Sequence, residues 1–242
     1  MTDKQKLKII RSIGKLVDTA INISMILLLL IGCYLIYDSY YVFNSGSSNK
    51  IAGYKPDKIN SQTLKDLSED CIAWITIDDT NIDFPVMQGK DNSEYLNKDP
   101  YGDYSLLGSI FLDSQNKYDF TDKYNLVHGH HAANAMFGHM DQFENETYFK
   151  KHLDGKLIVG DKEYKIRLFA FGYTDAFVDV IYTPVGNYPL SYIKNNSEHY
   201  LNPEGENLIV LSTCRQPNTT RRQYLAGVLL EENNSTISKG EK

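Results

Sequence analysis

Between Ala20 and Tyr37 the chain reads AINISMILLLLIGCYLIY, eighteen residues without a charge. Nothing else in the sequence limits its fold as sharply. A helix of ~20 apolar residues crosses a bilayer, and the core of this run, Met25 to Ile31, has no polar side to turn towards water. A helix that is apolar all round needs lipid or protein on every side. Lys4, Lys6, Lys8, Arg11 and Lys15 precede the run, and the positive-inside rule puts that end in the cytoplasm and everything after Tyr40 outside. A cleaved signal peptide shares the basic start and apolar middle. No small-x-small cleavage pattern follows, however, and the run is long for a signal core, so an uncleaved anchor is expected.

The chain therefore divides into a basic tail over 1–19, an anchor over 20–40, a polar linker over 41–60, a main domain over 61–231 and a polar tail over 232–242. The linker contains NSGSSNKIAGYKPDKIN, whose Gly and Ser suit a flexible tether. The main domain is of ordinary size for a single core. The net charge of −6 is spread along the chain and provides no basic face, which excludes nucleic acid as a partner.

Within the domain, short β-type runs dominate. Strands are expected over 71–78, 81–87, 108–113, 124–129, 156–160, 162–174, 207–213 and 223–230, each rich in β-branched or aromatic residues and bounded by turn formers. Helical patterns are few: 61–67, 92–98, a stretch near 135–152, and 189–201. Eight short strands with gaps mostly too small for crossover helices predict a closed barrel or a sandwich, not a parallel α/β fold. The reading is mostly β, a barrel decorated by a few helices. Phe111, Val127, Leu168 and Val210 lie within apolar runs and are expected in its core.

Three cysteines are present: Cys33 in the apolar run, Cys71 and Cys214. Their spacing forms no disulfide framework or zinc knuckle, and a Cys71–Cys214 bridge is not expected. Cys214 ends the apolar strand Leu208–Thr213 and precedes Arg215, Gln216, Pro217 and Asn218, which read as a loop. A thiol there can be rigid and still meet a substrate. Arg215, Arg221 and Arg222 lie close in sequence, and cations favour thiolate over thiol. A buried, inert thiol is the ordinary alternative.

His128, His130 and His131 form the second cluster. His128 and His130 share a strand face if the strand continues through them, which permits a metal site, although no carboxylate or cysteine ligands accompany them at a known spacing. The competing reading pairs one imidazole with the thiol as general acid and base.

The residues resemble a known family. Leu211-Ser212-Thr213-Cys214, Gly129-His130-His131 with Met136-Phe137-Gly138, and an arginine about eight residues beyond the cysteine are similar to the class B sortases. So are Asn81 to Asn92 followed by Tyr95-Leu96, and Gly108 to Asp113. The likeness covers most of 70–230 in order.

The resemblance implies a closed, sortase-type eight-stranded β-barrel carrying a cysteine transpeptidase without a cofactor. The acidic cluster of calcium-activated class A enzymes has no obvious counterpart. It implies Cys214 as nucleophile, His130 as proton shuttle, and Arg222 as peptide or oxyanion clamp. Arg222 is chosen because Arg222 to Gly227 fits the family's spacing; Arg221 replaces it if the strand shifts by one residue. The substrate would be a sorting-signal peptide of NPxTx-like form on a secreted surface protein. The acceptor would be an amine of a cell-wall precursor or a pilin, and the 189–201 segment an insert shaping the pocket. Three departures stand out: Arg215 directly after the cysteine, His128 where the family often has tyrosine, and a loop one residue short between His131 and Met136. Rival readings are a secreted cysteine protease, a non-catalytic adhesin and a metal-binding protein.

Overall fold

The computed structural model describes residues 3–45, 51–56, 63–132, 135–214 and 220–231. Asn134, Arg215, the loop 216–218, the tail 232–242, parts of the linker and the first residues of the helix expected from 61 lie outside them. Two units are distinguished, Met1–Ser45 and Gly46–Lys242.

The first unit is one helix, α1 (Asp3–Ser45). It is longer than the expected anchor, because the basic segment before Ala20 continues the same helix. No proline interrupts Asp3 to Ser45, and lysine and arginine are good helix formers. Leu27, Leu28, Leu29, Leu30 and Ile31 are all exposed within this unit. The helix is long and apolar enough to cross a membrane.

The second unit is built on β1 (Cys71–Ile77), β2 (Asp83–Met87), β3 (Ile110–Leu112), β4 (Tyr124–His128), β5 (His131–Ala132), β6 (Ala135–Met136), β7 (Asp154–Val159), β8 (Lys162–Asp175), β9 (Ser197–Tyr200), β10 (Leu208–Cys214) and β11 (Arg221–Glu231). Eight of these close a barrel in the order β11-β10-β4-β3-β2-β1-β7-β8, with β8 pairing back onto β11. Two neighbouring pairs, β2–β3 and β4–β10, are parallel, so the barrel is mixed. The expected eight-stranded barrel is the fold.

The helical expectations fare less evenly. The segment expected over 61–67 gives α2 (Leu64–Leu67), started by a capping box in which Thr63 and Asp66 each satisfy the other's backbone N–H. The 92–98 segment shrinks to a 3-10 turn, Glu94–Leu96. The 135–152 stretch is three pieces: β6, a 3-10 segment Gly138–Glu144, and α3 (Glu146–Lys151), which Asn145 caps by accepting from the Tyr148 N–H. Between β8 and β9 lie α4 (Asp179–Tyr182) and α5 (Leu190–Asn196). The helix expected over 189–201 stops at Asn196, and Ser197–Tyr200 becomes strand. β7 covers the edge of β8 only as far as Arg167, and the backbone from Ala170 to Gly172 needs partners that β9 supplies.

Side chains alternate across the wall formed by β4, β10 and β11. Val127, Ile209, Leu211, Leu225 and Leu168 belong to the large cluster filling the barrel. Their neighbours Leu126, Leu208, Val210, Tyr224 and Ala226 pack outside it, under Ile181 of α4 and Ile193 of α5. Phe111, Val127, Leu168 and Val210 are all buried, Val210 in this outer core. A helical cover held by a second core thus gives the wall a structured outer face.

Candidate active site

Parallel β4 and β10 end at the same rim of the barrel, and antiparallel β11 starts there. Three neighbouring strands therefore deliver their terminal residues to one place. Cys214 stands directly opposite Arg222, and His128 is in register with Ser212. The Gly129 N–H donates to the Ser212 carbonyl at 3.2 Å, so pairing continues past β4 and leads His130 out beside the end of β10. Gly129 is required sterically: a Cβ there would lie 2.7 Å from the Phe137 ring. The Gly-His-His and Met-Phe-Gly motifs meet at that contact.

Alternation then sorts the arginines. β11 begins at Arg221, two residues earlier than expected, so both lie on the strand and face opposite ways. Arg222 shares the outer face with Cys214 and Tyr224. Arg221 turns the other way, its guanidinium 4.8 Å from the Tyr173 ring. Asp175, with Thr220 and the Phe177 N–H donating to it and the Arg222 charge nearby, sits below the usual carboxylate range.

Each histidine of the cluster has its own acceptor. His130 Nε2 is 2.7 Å from the Leu96 carbonyl. Gly108 makes that carbonyl's position possible: its φ is +56°, and a Cβ would sit 2.4 Å from the Leu96 oxygen. His128 Nε2 lies 2.9 Å from Oδ2 of Asp113, which is 1% exposed. Burial pushes the Asp113 carboxyl up, but hydrogen bonds from His128, the Gln115 N–H and Asn92 hold it below its ordinary range. His131 Nε2 lies 2.9 Å from Asp141 Oδ1. No group of three or more His, Cys, Asp or Glu side chains that could hold a metal occurs among the described residues.

Sequence reasoning missed Tyr182, at the end of α4, between the strand expected to 174 and the helix expected from 189. Its hydroxyl is 2.7 Å from Ser212 Oγ, and its ring stacks over His128 at 6.3 Å. Burial pushes this phenol up to about 12, against the pull of the Ser212 hydrogen bond and the nearby Arg222 charge, while the Cys214 sulfur adds to the rise. At neutral pH it is a protonated hydroxyl facing the thiol's strand. A tyrosine in an unpatterned loop carries no signal in the sequence, since only the packing of α4 on the wall brings it here.

No protein-family model matches the chain. The curated sortase B of Listeria monocytogenes is 28% identical over 173 residues, 68% of this chain and 69% of that protein. A Staphylococcus aureus sortase B–substrate complex superposes with a TM-score of 0.64 at 25% identity, over 69% of this chain and 83% of that one. A Streptococcus pyogenes class B sortase involved in pilus biogenesis is 37% identical, with a TM-score of 0.63, over 69% of this chain and 95% of that one. The chain belongs to the class B sortases.

As a class B sortase it is a cysteine transpeptidase, and its three thiols are free and differently placed. Cys33 lies in α1. Cys71 is buried, and burial pushes its thiol up to about 12, against a weak contact with the Ala73 carbonyl. Cys214 is part-buried at the rim, in register with Arg222 and close enough to the Tyr182 phenol to raise it. Arg215, the departure next to it, lies outside the described residues.

Proposed function

We propose that this sortase is anchored by α1 and cleaves a C-terminal sorting signal of NPxTx-like form with Cys214, His130 and Arg222. The observation that carries this reading is the pairing of Cys214 with Arg222 on the outer face, with His130 leading out from the next strand. In the first half-reaction the Cys214 thiolate attacks the threonine carbonyl carbon, and Arg222 stabilises the oxyanion by charge-assisted hydrogen bonds. The peptide C–N bond breaks as His130 protonates the departing amine, leaving a thioester. An incoming amine then gives a proton to His130, attacks the thioester carbonyl, and expels the thiolate as the new amide forms.

The acceptor is an amine of a cell-wall precursor or of a pilin; the likeness to the Streptococcus pyogenes pilus sortase supports the second. The basic residues before Ala20 support a cytoplasmic tail over 1–19 and an extracellular domain over 61–231, joined by the anchor and the linker 41–60. The test uses full-length protein in membranes with a labelled sorting peptide, with and without a glycine peptide. Added amine should divert product from acid to amide. A product mixture indifferent to amine would make the protein a hydrolase. Protease added to wall-stripped cells should degrade the domain, and its protection would reverse the topology.

A further inference from the structure

Each residue assigned to catalysis has a neighbour on the wall's opposite face: His131 beside His130, Thr213 beside Cys214, Gln223 beside Arg222. Asp141, in the 3-10 segment Gly138–Glu144, reaches two of the three. Its Oδ1 lies 2.9 Å from His131 Nε2 and accepts from Gln223 Nε2 at 3.0 Å, while its Oδ2 is 3.0 Å from His131 Nε2. Gln223 is fully buried and pairs in register with Thr213, also buried. One carboxylate thus joins the histidine segment to the arginine strand from behind the site.

The histidine segment needs such a tie. Beyond β4 its backbone is held by the Gly129–Ser212 bond, by the Phe137 N–H donating to the His130 carbonyl at 3.1 Å, and by the two-residue ladder of β5 with β6. Ladders that short are marginal alone. A proton shuttle must be held to within ~0.5 Å of its productive position.

We propose that Asp141 is a positioning residue, a brace that fixes His130 relative to Cys214 and Arg222 through His131 and Gln223. This rests on the reading that those three residues carry the reaction. The chemistry also predicts which replacement restores function. Both hydrogen bonds converge on Oδ1, which asparagine retains, whereas alanine removes both.

The experiment uses the full-length protein in detergent with Asp141→Ala, Asp141→Asn, His131→Ala and the Asp141→Ala/His131→Ala double variant. It measures kcat and KM for sorting peptide and glycine amine, together with the rate of Cys214 alkylation at pH 7, read by peptide mass. Asp141→Ala should lower kcat about tenfold with KM changed less than about twofold, as expected when orientation and not binding is lost. Asp141→Asn should stay within about threefold of the native rate, and the double variant should be no slower than Asp141→Ala, since coupled residues are not additive. Native kcat in Asp141→Ala, an Asn variant as slow as Ala, or additive losses would each overturn the brace. If the native protein does not transpeptidate, the functional reading fails instead. The alkylation rate then judges the brace: an unchanged rate in both Asp141→Ala and His131→Ala rules it out, and a shift in Asp141→Ala restored by Asn sustains it.

Discussion

The two faces of the β4–β10–β11 wall are made by alternate residues of the same strands, yet they face different physical tasks. Inward, Val127, Leu211 and Leu225 are packed with other apolar side chains and excluded from water. Outward, the same strands begin the same way, with Leu208, Val210 and Ala226 under α4 and α5. Towards the rim the outer face becomes polar: His128 and Ser212 lie against Tyr182 of α4, and Cys214 and Arg222 follow at the strand ends. Below the rim, apolar packing thus holds the inner face rigid, and that rigidity positions the polar end of the outer one. Outer substitutions at the rim should cost activity and leave stability nearly intact, and truncations in the inner apolar core should do the reverse.

The largest separation is expected at the thiol. Cys214→Ala should form no thioester detectable by mass while keeping the native melting temperature, and His130→Ala should lose about 10²–10⁴-fold in kcat, the usual range for a positioned acid–base group. An active Cys214→Ala protein would end the assignment of the outer face to chemistry. The arginines test the faces against each other at neighbouring positions. Arg222→Lys keeps the charge but loses the planar fork, and a drop of about 10–100-fold in kcat/KM is expected by analogy with a lost oxyanion donor. Arg221→Ala should change kcat/KM less than about threefold and cost ~0.5–1 kcal/mol of stability, the worth of an exposed cation–π contact. The opposite ranking in a peptide turnover assay would mean that β11 is out of register by one residue.

Gly108→Ala probes how the outer face is oriented from a distance. Its Cβ would strike the Leu96 carbonyl at 2.4 Å, so kcat should fall, on the order of tenfold if His130 loses its acceptor and tilts. Full activity with an intact fold would show that this carbonyl is not needed. On the inner face, Leu225→Ala should cost ~2–5 kcal/mol in denaturant unfolding, as core truncations do. The fraction still folded should retain near-native kcat; a large loss would deny the division of labour between faces.

The smallest effect concerns pH. Asp113 is held below its unfolded value, so its contribution to stability is present above pH ~4, where an unfolded aspartate is ionised. It is lost as pH falls through the lower folded value. Asp113→Asn should therefore flatten the acid limb of a melting-temperature profile without shifting the curve's shape above pH ~6. An unchanged acid limb would place the acid sensitivity elsewhere.

Much of this was legible in the residues themselves. Short runs rich in β-branched and aromatic residues, bounded by turn formers, marked the eight barrel strands. The uncharged run at 20–37 determined a helix, though not that the basic segment before it would continue the same helix. The strand-like run ending at Cys214 marked the thiol, and the resemblance to sortases singled out His130 among the three histidines. What the sequence left open were properties of pairing. Whether Arg221 or Arg222 faces the thiol depends on where β11 begins, a register set by its hydrogen bonds to β10 and β8. Whether residues 197–200 are helix or strand depended on an edge of β8 left uncovered by β7, far away in sequence. Tyr182, Asp113 and Asp141 join the site through contacts 30, 15 and 10 residues long, and the last of these reaches 82 residues further to Gln223. Local sequence carries periodicity and turn chemistry, but a hydrogen bond between distant residues forms only after closure of the barrel has brought its ends together, and that was decided by the tertiary structure.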